Sequence, residues 1–161
     1  MRLTSQEEYG LRCLLRVGRE GTEGSVTIPE LSRFEGISQP HVAKMMRLLR
    51  KGGFVKSTRG QAGGYALARP AEQIAVGHAL AVLGGRLFDA NFCGTHAGSA
   101  SLCTHNGDCA IRSVWRTIQG AIDSVLGRMT LKDLLRSEEE MNVWAGRGSA
   151  LPIHAHPHGP A

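Results

Sequence analysis

Three cysteines, Cys93, Cys103 and Cys109, stand in one stretch with nine and five residues between them. Small and polar residues surround them: Gly94, Thr95, Gly98, Ser99, Asn106 and Gly107. Glycine lets backbone approach a bound group closely, so such a stretch can wrap a metal centre. Structural zinc usually takes paired cysteines at short Cys-x-x-Cys-type spacing, which is absent here. Wide spacing suits an iron–sulfur cluster better, because its corners accept thiolates from separate points of a chain. A cluster-free set of oxidant-sensing thiols is a second reading. A zinc-stabilised interaction module is a third. Cys13 lies in a helical pattern far from the other three and reads as a small core residue.

A second chemistry is carried by charge. The 161 residues hold 19 Lys and Arg against 14 Asp and Glu, a net charge of +5. From Gly36 to Ala71 there is no acid, while Lys44, Arg47, Arg50, Lys51, Lys56, Arg59 and Arg69 all fall there. An ordinary solvated face mixes signs. Exclusion of every carboxylate is what a polyanion surface requires, since each would repel a phosphate. Double-stranded DNA is the expected partner. No nucleophile–base pair or phosphate loop is visible, so an enzyme is not expected. No apolar run approaches the roughly 18 residues a membrane span needs. Met1 to Gly10 has no apolar core of the kind a signal peptide carries. A cytoplasmic setting follows, where thiols stay reduced.

The elements that position these residues are legible from capping and periodicity. Thr4 with Glu7 makes a capping box opening a helix to about Arg19, with a stripe of Leu11, Leu14, Leu15 and Gly18. Thr27 with Glu30 opens a second helix, which ends near Gly36. Ser38 caps a third, with Pro40 tolerated in its first turn. Its apolar face is Val42, Met45, Met46 and Leu49; its other face carries Gln39, His41, Lys44, Arg47 and Lys51. Two short strands follow, Phe54 to Thr58 and Tyr65 to Ala68, and then a helix from Ile74 to Leu83.

Helix, tight turn, basic helix and hairpin define a winged helix-turn-helix. The fold class expected is therefore mainly α with a small β-hairpin wing, plus a long dimerisation helix. Gln39, His41 and Lys44 lie on the exposed half expected to enter the major groove, where such side chains can reach base edges, with Ser38 and Pro40 beside them at the helix start. Arg47, Arg50 and Lys51 lie further along and suit phosphates. Arg59, Gly60 and Gly63 form a hairpin tip small enough for a minor groove.

Ile111, Val114, Trp115, Ile118, Ile122, Val125, Leu126 and Met129 repeat at three-and-four spacing over about twenty residues, roughly 30 Å of helix. That face exceeds what a small winged domain can cover. Trp115, Ile118, Ile122 and Val125 are expected to pack on a second copy, and a two-fold dimer matches a palindromic operator. The chain divides into a DNA-binding domain (1–83), a cysteine loop (84–109), a dimerisation helix with a short helix after it (110–137) and an acidic, then Gly/Pro/His-rich disordered tail (138–161).

Met1-Arg2-Leu3-Thr4-Ser5, Tyr9-Gly10-Leu11-Arg12, Arg59-Gly60 with Gly63-Gly64-Tyr65, and three loop cysteines before a long helix resemble the IscR/NsrR/RirA family of winged-helix repressors. The resemblance runs from Met1 to about Ser137. It implies a homodimer that senses cluster status, iron, nitric oxide or redox state, with Cys93, Cys103 and Cys109 as ligands. The gap between Cys103 and Cys109 is the family's usual one; the gap before it is longer. Some members place a histidine three residues after the last cysteine, where this chain has Arg112, which cannot ligate. Others use an aspartate on the first helix of the partner chain, and the matching position is Glu8. His105 and His96 are rivals for that role. A carboxylate beside thiolates is a hard, labile ligand, suited to a cluster meant to be lost or attacked.

Overall fold

The computed structural model describes residues 3–58, 63–99 and 102–148. The chain is mostly helical with one small two-stranded antiparallel sheet. Both expected capping boxes are present. Thr4 precedes α1 (Ser5–Glu20) and Thr27 precedes α2 (Ile28–Glu35), each exchanging hydrogen bonds with the acid three residues on. Satisfying those free N–H groups fixes where each helix starts. Gly36 stops α2 in the left-handed region at φ 65°, which an L side chain adopts only at a cost. Ile37, buried, plugs the turn into the core, and α3 (Gln39–Lys51) leaves on the far side.

The buried side of α1 is Gly10, Cys13, Leu14, Val17 and Gly18, with Leu11 and Leu15 only partly covered. The buried stripe is thus rotated from the leucine stripe read from the sequence. The cause is packing: Leu83 occupies the space that a Cβ on Gly10 would fill, so it presses on the glycine side of the helix. The apolar face of α3 is as expected, with Val42, Met45, Met46 and Leu49 all buried.

The wing pairs β1 (Val55–Ser57) with β2 (Tyr65–Leu67), each shorter than expected, although Ala68 N–H still donates to Phe54 O at 2.9 Å beyond the strand ends. A third pairing was not legible in the sequence. Val26 bridges Tyr65, with N–H to O distances of 2.9 and 2.8 Å in the two directions. Gly64 makes this possible, since a Cβ there would lie 2.8 Å from the Val26 carbonyl oxygen.

A 3-10 turn (Ala71–Gln73) leads to α4 (Val76–Gly84). The cysteine segment, expected as plain loop, contains one helical turn, α5 (Phe92–Thr95). The long helix is α6 (Ala110–Leu126), 17 residues. The chain then returns, as Leu131 N–H donates to Ile74 O at 2.8 Å and α7 (Leu131–Leu134) packs against α1. The acidic start of the tail over 138–161 is helical: α8 spans Glu138–Gly148. Ser137 and Glu140 make a capping box of their own, with Ser137 N–H to Glu140 Oε2 at 2.9 Å and Glu140 N–H to Ser137 Oγ at 3.2 Å. The rest of that tail lies outside the described residues. Among the described residues no helix is long and apolar enough to cross a membrane.

Candidate nucleic-acid interface and cysteine loop

Burial of one face of α3 leaves the other in solvent. Ser38, Gln39, Pro40, His41, Lys44, Arg47, Arg50 and Lys51 are all exposed. Among the described residues, no ion pair involves Lys44, Arg47, Arg50 or Lys51. Unneutralised guanidinium and ammonium groups on one helix face are available to phosphates. Ser38 holds the N-cap position with extended backbone, yet its hydroxyl makes no cap hydrogen bond. It shares one with His41 Nδ1 at 3.0 Å instead. Pro40 removes one of the two N–H groups that an N-cap hydroxyl ordinarily accepts from, and the Ser38 side chain is directed to the imidazole instead.

Two residues that sequence reasoning missed hold this helix in place. Arg12 on α1 pairs through Nε with Glu35 Oε2 at 3.1 Å and donates from Nη2 to the Glu35 carbonyl. The turn before α3 is thereby tied to α1. Tyr9 stands beside His41, ring centroids 6.5 Å apart. No local signal marks either pairing. Cys13, two turns inward, is fully buried, and its thiol is pushed up to about 11. Burial is the main cause; nearby Glu35 adds to it and Arg12 opposes it.

At the wing, Thr58 N–H donates to Gly64 O at 2.8 Å and Gly64 N–H to Thr58 Oγ1 at 3.0 Å, closing the hairpin base. Gly63 is exposed there; Arg59 and Gly60 lie outside the described residues. Arg69, counted among the basic residues of this stretch, turns elsewhere, its guanidinium 5.6 Å from the Phe54 ring centroid.

Cys93 sits on α5, Cys103 in the segment after it, and Cys109 at the N-cap of α6, where Arg112 N–H donates to its Sγ at 3.3 Å. All three are half-buried and free of disulfides. Among the described residues, no three His, Cys, Asp or Glu gather into a metal-holding group. The donors themselves fit the expected group: soft, partly accessible thiols are what iron–sulfur centres take. Glu8 is exposed on the first turn of α1, and His105 is exposed in the loop. His96 is engaged locally, stacked on Phe92 at 4.1 Å with Nδ1 2.8 Å from the Phe92 carbonyl oxygen.

On α6 the single chain leaves apolar surface uncovered. Ile111, Val114 and Val125 are 61, 53 and 40% exposed. Ile118 and Ile122 are half-buried, and Trp115 is half-buried with its ring 6.5 Å from that of Phe92.

A helix-turn-helix with an exposed cationic second helix, backed by a β-wing, defines a winged-helix DNA-binding regulator. The family model described as "Rrf2: Iron-dependent Transcriptional regulator" matches residues 3–137, and the chain belongs to that family. It is 33% identical over 159 residues to the HTH-type transcriptional regulator IscR of Erwinia tasmaniensis, covering 99% of this chain and 93% of that protein. The IscR of Pectobacterium atrosepticum is 32% identical over 143 residues, or 89% and 84% of the two chains. Among solved structures, T. potens IscR aligns with a TM-score of 0.65 at 30% identity, covering 84% of this chain and 86% of that one. CymR (YrzC), the global cysteine regulator of B. subtilis, aligns with a TM-score of 0.66 at 26% identity, covering 84% and 96%. These relatives are transcriptional regulators rather than enzymes.

Proposed function

We propose that the protein is a cytoplasmic, homodimeric transcriptional repressor whose hold on a palindromic operator is set by an iron–sulfur cluster. The observation that carries this reading is the position of three free thiols on the segment joining the reading domain to α6. Cys93, Cys103 and Cys109 supply thiolates, and Glu8 of the partner chain supplies the fourth donor, with His105 as its rival. When bound, the cluster supplies a centre that is lost or altered on contact with nitric oxide, oxidants or iron shortage.

The remaining chemistry is done by side chains already in place. Gln39 and His41 read base edges from the exposed start of α3, while Lys44, Arg47, Arg50 and Lys51 neutralise phosphates along it. The wing, with Arg59, Gly60 and Gly63, enters the adjacent minor groove. The uncovered edge of α6, with Trp115, Ile118, Ile122 and Val125, packs on its copy and sets the distance between the two recognition helices. Half-sites about one DNA turn apart tolerate little error in that distance. Arg12 and Glu35 tie α1, which bears Glu8, to the turn before α3, so ligation at Glu8 bears directly on the reading head.

The test compares anaerobically purified protein with a Cys103→Ala variant on one operator fragment at fixed salt. Brown wild type, colourless variant and unequal affinities are expected. Matching affinities would mean that the loop is no switch. Colourless wild type whose binding instead responds to thiol oxidation would favour the cluster-free sensor.

A further inference from the structure

Beside the cysteine loop lies a cleft that the proposed function does not use. Arg86, Phe88, Asp89 and Ala90 form one wall, and Arg116, Gln119, Gly120 and Asp123 of α6 form the other, around about 550 Å³. Its floor is fixed by a closed polar chain. Buried Gln119 accepts the Phe88 N–H at 3.0 Å and donates through Nε2 to Asp123 Oδ1 at 2.9 Å. The other oxygen of Asp123 is taken by Arg86. With Arg86 and Asp123 neutralising each other, one charge of each sign is left over. Arg116 has no ion pair or hydrogen bond among the described residues. Asp89 spends one oxygen on the Asn91 N–H at 2.9 Å and keeps the other. The rest of the lining is Phe88, Ala90 and Gly120, which has no side chain.

We propose that this cleft binds a free α-amino acid with an apolar side chain. Its carboxylate meets Arg116 in the two-pronged geometry that a guanidinium offers. Its ammonium meets Asp89, and its side chain lies along Phe88 and Ala90. A net-neutral pair of unlike charges favours a zwitterion over a dianion, which would leave Asp89 facing a like charge. It also favours a free amino acid over a peptide segment, since only the former carries both charges on one carbon. Helical periodicity places Arg116, Gly120 and Asp123 on the side of α6 away from Val114, Ile118 and Val125. A dimer built on that edge therefore leaves the cleft open. The site spans both ends of the cysteine segment: one wall is the chain just before Cys93, the other is the helix that Cys109 caps. A ligand held across it clamps those ends together, and thereby biases the geometry of the loop.

Calorimetric titration of the full-length protein with L-leucine, L-methionine and L-phenylalanine tests the site. N-acetyl-L-leucine, isoamylamine and succinate are the comparisons. At least one of the amino acids is expected to bind saturably, and the three comparison compounds at least about tenfold more weakly. A Cβ at Gly120 would meet nothing within 4 Å, so Gly120→Leu fills the cleft without strain on the fold. That variant and Arg116→Ala should each lose the binding while keeping the wild-type circular dichroism and a melting temperature at or above that of wild type. Amide exchange in wild type should slow at 86–90 and 116–123 on adding the amino acid that binds. The proposal is overturned if none of the amino acids binds, if N-acetyl-L-leucine, isoamylamine or succinate binds equally well, or if binding survives both substitutions. It stands or falls apart from the cluster reading, because none of these readings uses a cluster or DNA.

Discussion

At the scale of single residues, exposure and burial divide the chemistry. Gln39, His41 and Lys44 share the open face of α3, and the proposed function assigns them to different parts of a duplex. Lys44→Ala should weaken binding to operator and random DNA alike, whereas Gln39→Ala and His41→Ala should relax base choice. Each base contact is worth roughly 1–3 kcal/mol. Competition binding with operator and scrambled fragments checks this, and equal losses on both for all three variants would remove Gln39 and His41 from the readers. The cysteines divide in the same way. Cys13, with its thiol pushed up to about 11, stays protonated near neutral pH, so iodoacetamide should label the three loop cysteines of cluster-free protein and spare Cys13 until unfolding. The sign of the pH effect follows from a raised value in the folded state. The contribution of Cys13 is complete below the ordinary 9.0 and is lost as pH climbs through about 11. Urea midpoints should therefore fall between those two values, and a Cys13→Ala variant should show less of that fall.

At the scale of elements, the wing depends on the strand-like Val26 segment as much as on its own hairpin. Gly64→Ala would set a methyl 2.8 Å from the Val26 carbonyl oxygen, which is backbone and cannot step aside. The substitution should cost about 2 kcal/mol or more, through the two Val26–Tyr65 hydrogen bonds and the strain. Chemical denaturation measures it, and a change of a few tenths would mean that the bridge contributes little. Caps act at the same scale. Thr4, Thr27 and Thr130 each exchange hydrogen bonds with an acid three residues on, and Ser137 does so with Glu140. Those motifs are why the helix starts were legible. Ser137 with Glu140 is also the signal that marks α8 in a tail otherwise read as disordered.

At the scale of the whole molecule, α6 is an arm rooted in the domain at its C-terminal end. Arg86 pairs with Asp123 near its base, and α7 returns to pack on α1. On its outer apolar edge Ile111, Val114 and Val125 stay exposed among the described residues. Ile118→Asp should therefore yield monomers with weak operator binding, because a carboxylate in the seam would be stripped of water without a partner. Sedimentation of the variant decides it: an intact dimer would place the seam elsewhere.

The sequence alone determined the elements whose causes are local. Capping pairs three residues apart located α1 and α2, a three-and-four apolar repeat located α6, and an acid-free stretch marked α3 and the wing as the basic face. Tertiary structure alone decided the rotation of α1, where Leu83 packs against Gly10, and the Val26 strand. It also decided the Arg12–Glu35 tie and the cleft between Phe88 and α6. These are meetings between residues far apart in the chain, and a periodic pattern carries no record of which distant partner fills a gap. The cysteines show the same limit at a larger scale. Their spacing suggests a chemistry, but a meeting of the three depends on a loop conformation that local propensity does not encode, and among the described residues no three metal-ligating side chains gather.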